Sequence, residues 1–157
     1  MTAIEMLCDH GADLTVKNKS GQTPMIFSAK NKYDDICMYL SLRTKDINEE
    51  DEHGLNAVFI MIQRNELDRC KQLLRRGANI NYENKKGTTA IHFAIDNRLP
   101  EKTVRFLIDF GANIHFEDQE GLDTCDKVKK ENLYPKIKQF YDNACITDPS
   151  LRNQRTN

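Results

Sequence analysis

"GTTAIHFAI", residues 87–95, sets one histidine among apolar residues, three positions after a threonine. Alone, the pair His92 and Thr89 is open to two readings: a base beside a hydroxyl, or a polar clip inside a core. The rest of the chain separates them, because the stretch returns at a fixed distance. Gly87 has counterparts at Gly21, Gly54 and Gly121, spaced by 33, 33 and 34 residues. Gly11, Gly77 and Gly111 open "GAD", "GAN" and "GAN", and midway between the first two stands Thr44, in "TKD". A short period of this kind indicates stacked supersecondary units rather than one globular core.

Other columns agree once the chain is stacked in this register. Two residues after each loop glycine come Thr23, Asn56, Thr89 and Asp123, side chains that accept from the free amides of a first helical turn. Pro24 follows the first of them, at the favoured first helical position. Three residues before each glycine lie Asn18, Asp51, Asn84 and Asp118, which stabilise tight turns through nearby backbone. Leu14, Ile47, Ile80 and Ile114 form a further apolar column. Leu7, Leu40, Leu73 and Leu107, with Ile4, Cys37, Cys70 and Val104 three residues earlier, share one face of a second helix. Each unit reads as turn, helix, loop, helix, closed by a glycine suited to the left-handed stop. The third unit has one extra residue around "NRLPEK", where Pro100 can start the second helix.

The period, with "GQTPMIFSA", "GTTAIHFAI", "LLRRGANIN" and "FLIDFGANI", resembles ankyrin repeats, whose pattern contains Thr-Pro-Leu-His-x-Ala. The resemblance implies an all-α repeat solenoid, stacked helix-turn-helix units with β-turn fingers. It covers residues 1–145: a partial repeat 1–18, repeats over 19–51, 52–84 and 85–118, and a degenerate capping repeat 119–145. The polar tail 146–157 reads as disordered. The chain opens on a second helix, so Ile4, Met6 and Leu7 are expected to lack a cover, or to be covered by further repeats or another domain before residue 1. The unit from Gly54 departs from the pattern, with Asn56, Ala57 and Phe59 in place of Thr, Pro and His. For His92 the resemblance implies a structural clip that bonds within and between neighbouring repeats.

Composition narrows the chemistry. Lys plus Arg is 23 and Asp plus Glu is 24, so the basic footprint of a nucleic-acid binder is missing. The longest apolar run, residues 57–62, is far shorter than the ~20 residues of a membrane helix, which argues against membrane insertion. Without a charged-then-apolar leader, and with five cysteines (Cys8, Cys37, Cys70, Cys125, Cys145) that form no CxxC pair, the chain predicts reduced thiols in an intracellular setting, cytoplasmic or nuclear. Cys37 and Cys70 share a column with Ile4 and Val104 and read as small core hydrophobes. The four histidines fall at four register positions with no i, i+4 pair, and "EEDEH" lacks a calcium-loop layout, so neither metal nor cofactor is expected.

A non-enzymatic module that docks a protein partner follows. By resemblance, turn tips and first helices line a concave face. In register these are Lys19, Ser20, Gln22, Lys30 and Asn31; Glu52, His53, Leu55, Gln63 and Arg64; Lys85, Lys86, Thr88, Asp96 and Asn97; and Gln119, Glu120 and Leu122. Tyr82 and Phe116, at matching turn positions, read either as binding hot spots or as covers for the neighbouring turn. Successive turns alternate in sign (Lys17 and Lys19; Glu49, Glu50 and Glu52; Lys85 and Lys86; Glu117 and Glu120), which favours a partner of matching alternation. The alternative is a regulatory or substrate-recruiting arm of a larger enzyme, such as a palmitoyltransferase or a kinase. An independent hydrolase would need a pocket holding two or more of the histidines.

Overall fold

The structure, a computed structural model, describes residues 3–118 and 120–130. Gln119, most of the expected capping repeat with Cys145, and the tail lie outside the described residues. Among the described residues there are eight helices and no strand. They run α1 (Ala3–Asp9), α2 (Pro24–Lys30), α3 (Asp34–Leu40), α4 (Ala57–Gln63), α5 (Leu67–Arg75), α6 (Ala90–Asp96), α7 (Glu101–Asp109) and α8 (Thr124–Lys130). Helices α2 and α3, α4 and α5, and α6 and α7 form hairpins. First helices stack in the order α2, α4, α6, α8, and α3 packs on α5.

The first helices start where their caps stand. Thr23 accepts from the Ile26 amide, Asn56 Oδ1 from Phe59 and Asp123 Oδ1 from Asp126. Thr89 holds the same place before α6 but caps no amide; its hydroxyl is bonded to His92 instead. Between helices the chain turns through Lys32, Asn65 and Arg98, all at positive φ and 33 residues apart. The extra residue of the third repeat falls between Arg98 and Pro100, which caps α7. Gly77 and Gly111 close their helices at φ 99° and 87°. Thr44 holds no such conformation, and α3 stops at Leu40 where α5 runs two register positions further, to Arg75.

The core is the set of columns read from the sequence. Leu40, Leu73 and Leu107 are at most 3% exposed, and Cys37, Cys70 and Val104 are fully buried. Across the first helices Ile26, Phe59 and His92 are buried in one column. Phe59 meets Phe93 of the next repeat edge-to-face, with ring centroids 5.3 Å apart. Burying one such aliphatic or aromatic side chain contributes about 2 kcal/mol, and no single repeat holds enough of them to stand alone.

Candidate protein-binding face

The fingers that project from the stack are four copies of one turn. Asn18 Oδ1 accepts from the Ser20 and Gln22 amides, Asp51 from His53 and Leu55, Asn84 from Lys86 and Thr88, and Asp118 from Glu120 and Leu122. Each bond lies between 2.8 and 3.1 Å. One short side chain thus fixes two amides in every finger. Gly21 and Gly54 sit in these turns at φ 68° and 79°. A Cβ at Gly54 would come within 2.9 Å of Asn84 Nδ2, which donates to the Gly54 carbonyl from the next repeat. The fingers therefore touch one another, through this bond and through the Glu52 backbone, whose amide approaches the Ser20 carbonyl of the preceding finger.

Charge joins the fingers as well. Lys17 pairs with Glu49 at 2.7 Å, and Lys85 donates to the Asp51 carbonyl while its amide reaches the Glu50 carboxylate. The alternation of sign seen in the sequence is thus satisfied partly between neighbouring turns, not left whole for a partner. Lys30 bonds the buried Asp51 carboxylate at 2.6 Å. Burial pushes that carboxyl up, but Lys30 and the turn amides outweigh it and hold it below its ordinary range. Asp118 follows the same pattern, with Lys127 as its cation at 2.6 Å. Lys127 also reaches Asp96 at 2.7 Å. Arg64 grips Asp34 through both guanidinium nitrogens (2.6 and 2.9 Å) and donates to the Ala29 carbonyl. The Arg64 bond lowers the Asp34 carboxyl.

These contacts sort the expected face. Lys19, Glu52, His53, Gln63, Lys85, Lys86, Asp96, Asn31, Asn97 and Glu120 are exposed, while Ser20, Gln22, Lys30, Leu55, Arg64, Tyr82, Thr88, Phe116 and Leu122 are half-buried. Asn31 and Asn97 donate to the Phe27 and Phe93 carbonyls of their own helix ends. Tyr82 packs on the core and Phe116 lies beside the His92 ring.

Five of the expected residues come together. His53, Leu55, Lys86, Thr88 and Asp96, with Asn84 and Phe93, line a recess of about 270 Å³ between the second and third full repeats. Leu55 and Phe93 give it apolar surface; His53, Lys86 and Asp96 give it polar groups. Its volume lies below the ~300–1,000 Å³ of small-molecule sites, so it suits a side chain better than a whole ligand. Phe93, Asp34 and Lys127 did not figure in the expected face. Phe93 follows the histidine by one residue, in a column with Phe27, Ile60 and Lys127 whose mixed character hid its partial exposure.

His92 is fully buried, and Nδ1 shares a 2.9 Å hydrogen bond with Thr89 Oγ1. Nε2 makes no hydrogen bond of ordinary geometry. The clip closes on Thr89, and the Phe116 backbone also bears on the ring as an acceptor. Burial lowers the pKa of the imidazole, assisted by the Lys127 charge. Desolvation pushes the thiols of Cys37 and Cys70 up to about 11 and about 12, which makes them inert. Cys8, Cys37 and Cys70 are free. Donor atoms of His115, Asp123 and Cys125 lie within 4.8 Å of one another, three donors among the described residues where a structural zinc site takes four. No helix among the described residues is long and apolar enough to cross a membrane.

The repeating finger, the two helix stacks and the 33-residue register agree with one match to known families, described as ankyrin repeats (3 copies), over residues 39–118, half of the chain. The chain belongs to the ankyrin-repeat family. Its fold is similar to the crystal structure of an ankyrin repeat domain from Acinetobacter baumannii, with a TM-score of 0.74 and 23% identity, over 90% of this chain and 74% of that one. No curated protein matches the sequence. Ankyrin repeats are in general protein-interaction modules, and this ankyrin array has the usual all-helical form.

Proposed function

We propose that the array is a non-enzymatic module that docks a protein partner on the concave face of turn tips and first helices, with the recess between His53 and Asp96 as its centre. The recess is the observation that carries this reading: apolar surface from Leu55 and Phe93 lies beside the exposed groups of His53, Lys86 and Asp96. A side chain with an apolar body and a polar or anionic end fits that combination, the pattern of an anchored hot spot with a polar rim. The Lys86 ammonium supports it, since it has no ion-pair partner among the described residues. Fingers held by backbone contact and ion pairs would present the face already ordered, which lowers the entropic cost of binding.

Affinity capture from the native cell extract tests the reading. Wild-type array and the Arg105→Glu variant, altered on the solvent side of α7, are expected to retain the same partner. The double variant His53→Ala, Lys86→Glu is expected to lose it while melting as the wild type does. Equal capture by all three would place docking elsewhere.

A further inference from the structure

The repeat register shows why the recess lies where it does. In the second and fourth fingers the turn residue is an aspartate, whose Oδ1 takes two turn amides. Its Oδ2 takes a lysine: Lys30 on Asp51 at 2.6 Å, and Lys127 on Asp118 at 2.6 Å. In the third finger the same place belongs to Asn84. Its Oδ1 takes two amides as before, but the other atom is Nδ2, which donates to the Gly54 carbonyl at 2.8 Å. The two register positions that supply Lys30 and Lys127 hold Gln63 and Phe93 at this joint. The recess is thus the space at the one joint, among these three, where no lysine closes on the finger.

The chemistry at this joint is inverted as well. Its neighbours offer a carboxylate to an ammonium, whereas this joint offers donors. An amide nitrogen carries two hydrogens, and Asn84 spends one on Gly54. The Lys86 ammonium has no ion-pair partner among the described residues, and the exposed His53 lines the same recess. Asp96, the one carboxylate of the lining, is already engaged by Lys127 at 2.7 Å. A guest that completes the joint must therefore bring acceptor oxygens, on a short aliphatic stem that can lie against Leu55 and Phe93. On the footing that this recess is the centre of docking, we propose that it takes a glutamate side chain of the partner, with the carboxylate on Lys86 and Asn84.

The probe is a phage library of random peptides, flanked on both sides by carrier sequence and selected on the immobilised full chain. A parallel library ends each peptide in a free carboxylate. A glutamate at one fixed position of the flanked peptides is expected. Replacing it by glutamine in a synthetic, end-blocked copy should weaken binding about tenfold by anisotropy. Lys86→Met should bind the two forms alike, and selection on Lys86→Glu should exchange the glutamate for lysine or arginine. The glutamine comparison needs no variant of the protein, so it decides the matter even if a Lys86 variant melts early. No enriched peptide, no acid at a fixed position, equal binding of the two forms, or enrichment confined to free C-termini overturns the proposal. None of these results bears on docking itself, which falls only if the His53, Lys86 double variant captures the partner as wild type does.

Discussion

At the level of single residues, the array rests on a few side chains whose task is set by position. His92 is buried, bonded to Thr89 and disfavoured as a cation by desolvation. Its folded-state pKa lies below the ordinary 6.5, so the unfolded chain takes up a proton that the native protein refuses. Stability contributed by the neutral ring is complete above the unfolded value and falls as pH drops through it. The melting temperature should therefore decline between about pH 7 and pH 5, and His92→Gln should flatten that slope; an equal slope in the variant would remove His92 from the account. Gly54 makes a second case. Its left-handed φ alone costs an alanine about 1–2 kcal/mol, and the contact with Asn84 adds to it. Gly54→Ala should lower unfolding free energy by about 2 kcal/mol or more in urea titration, whereas Gly11→Ala, with nothing near its Cβ, should cost only the φ term.

Elements are joined by ion pairs that cross repeats, and these differ from exposed pairs in what they replace. Asp51 is buried, and its carboxylate serves two turn amides and Lys30 together. Lys30→Met would leave a buried carboxylate without its cation, at a cost of about 3 kcal/mol, the low end for a broken buried pair because Lys30 is partly exposed. Asn18 and Asn84 hold the same turn without a charge. Adding Asp51→Asn should therefore restore most of the loss, and a thermal denaturation series of the two singles and the double would show it. A double variant no better than Lys30→Met would mean that the ammonium acts through packing alone. How much of this was legible in the sequence follows from distance along the chain. The helices, the caps and the Asn or Asp of each finger were legible because the chain states them four times in register. The pairings Lys30 with Asp51, Arg64 with Asp34 and Lys127 with Asp96 were not, since each joins residues 21 to 31 positions apart whose meeting depends on how hairpins stack. The Thr89 hydroxyl was read as a cap because cap and clip use the same residue at the same place.

For the whole molecule, stacking sets the fingers and first helices in one row, polar, ordered and notched by the recess at His53 and Lys86. The finger residues were legible as positions in register, because the same turn recurs in each unit. The recess was not, because Leu55 and Phe93 meet only when the second and third repeats are stacked. The most direct measurement of the central claim is site-specific photo-crosslinking in native extract, with a benzophenone side chain placed at Lys86 in one sample and at Arg105 in another. A partner adduct of one defined mass at position 86, absent at 105, is the predicted result. An adduct at 105 and none at 86 would contradict docking on the concave face.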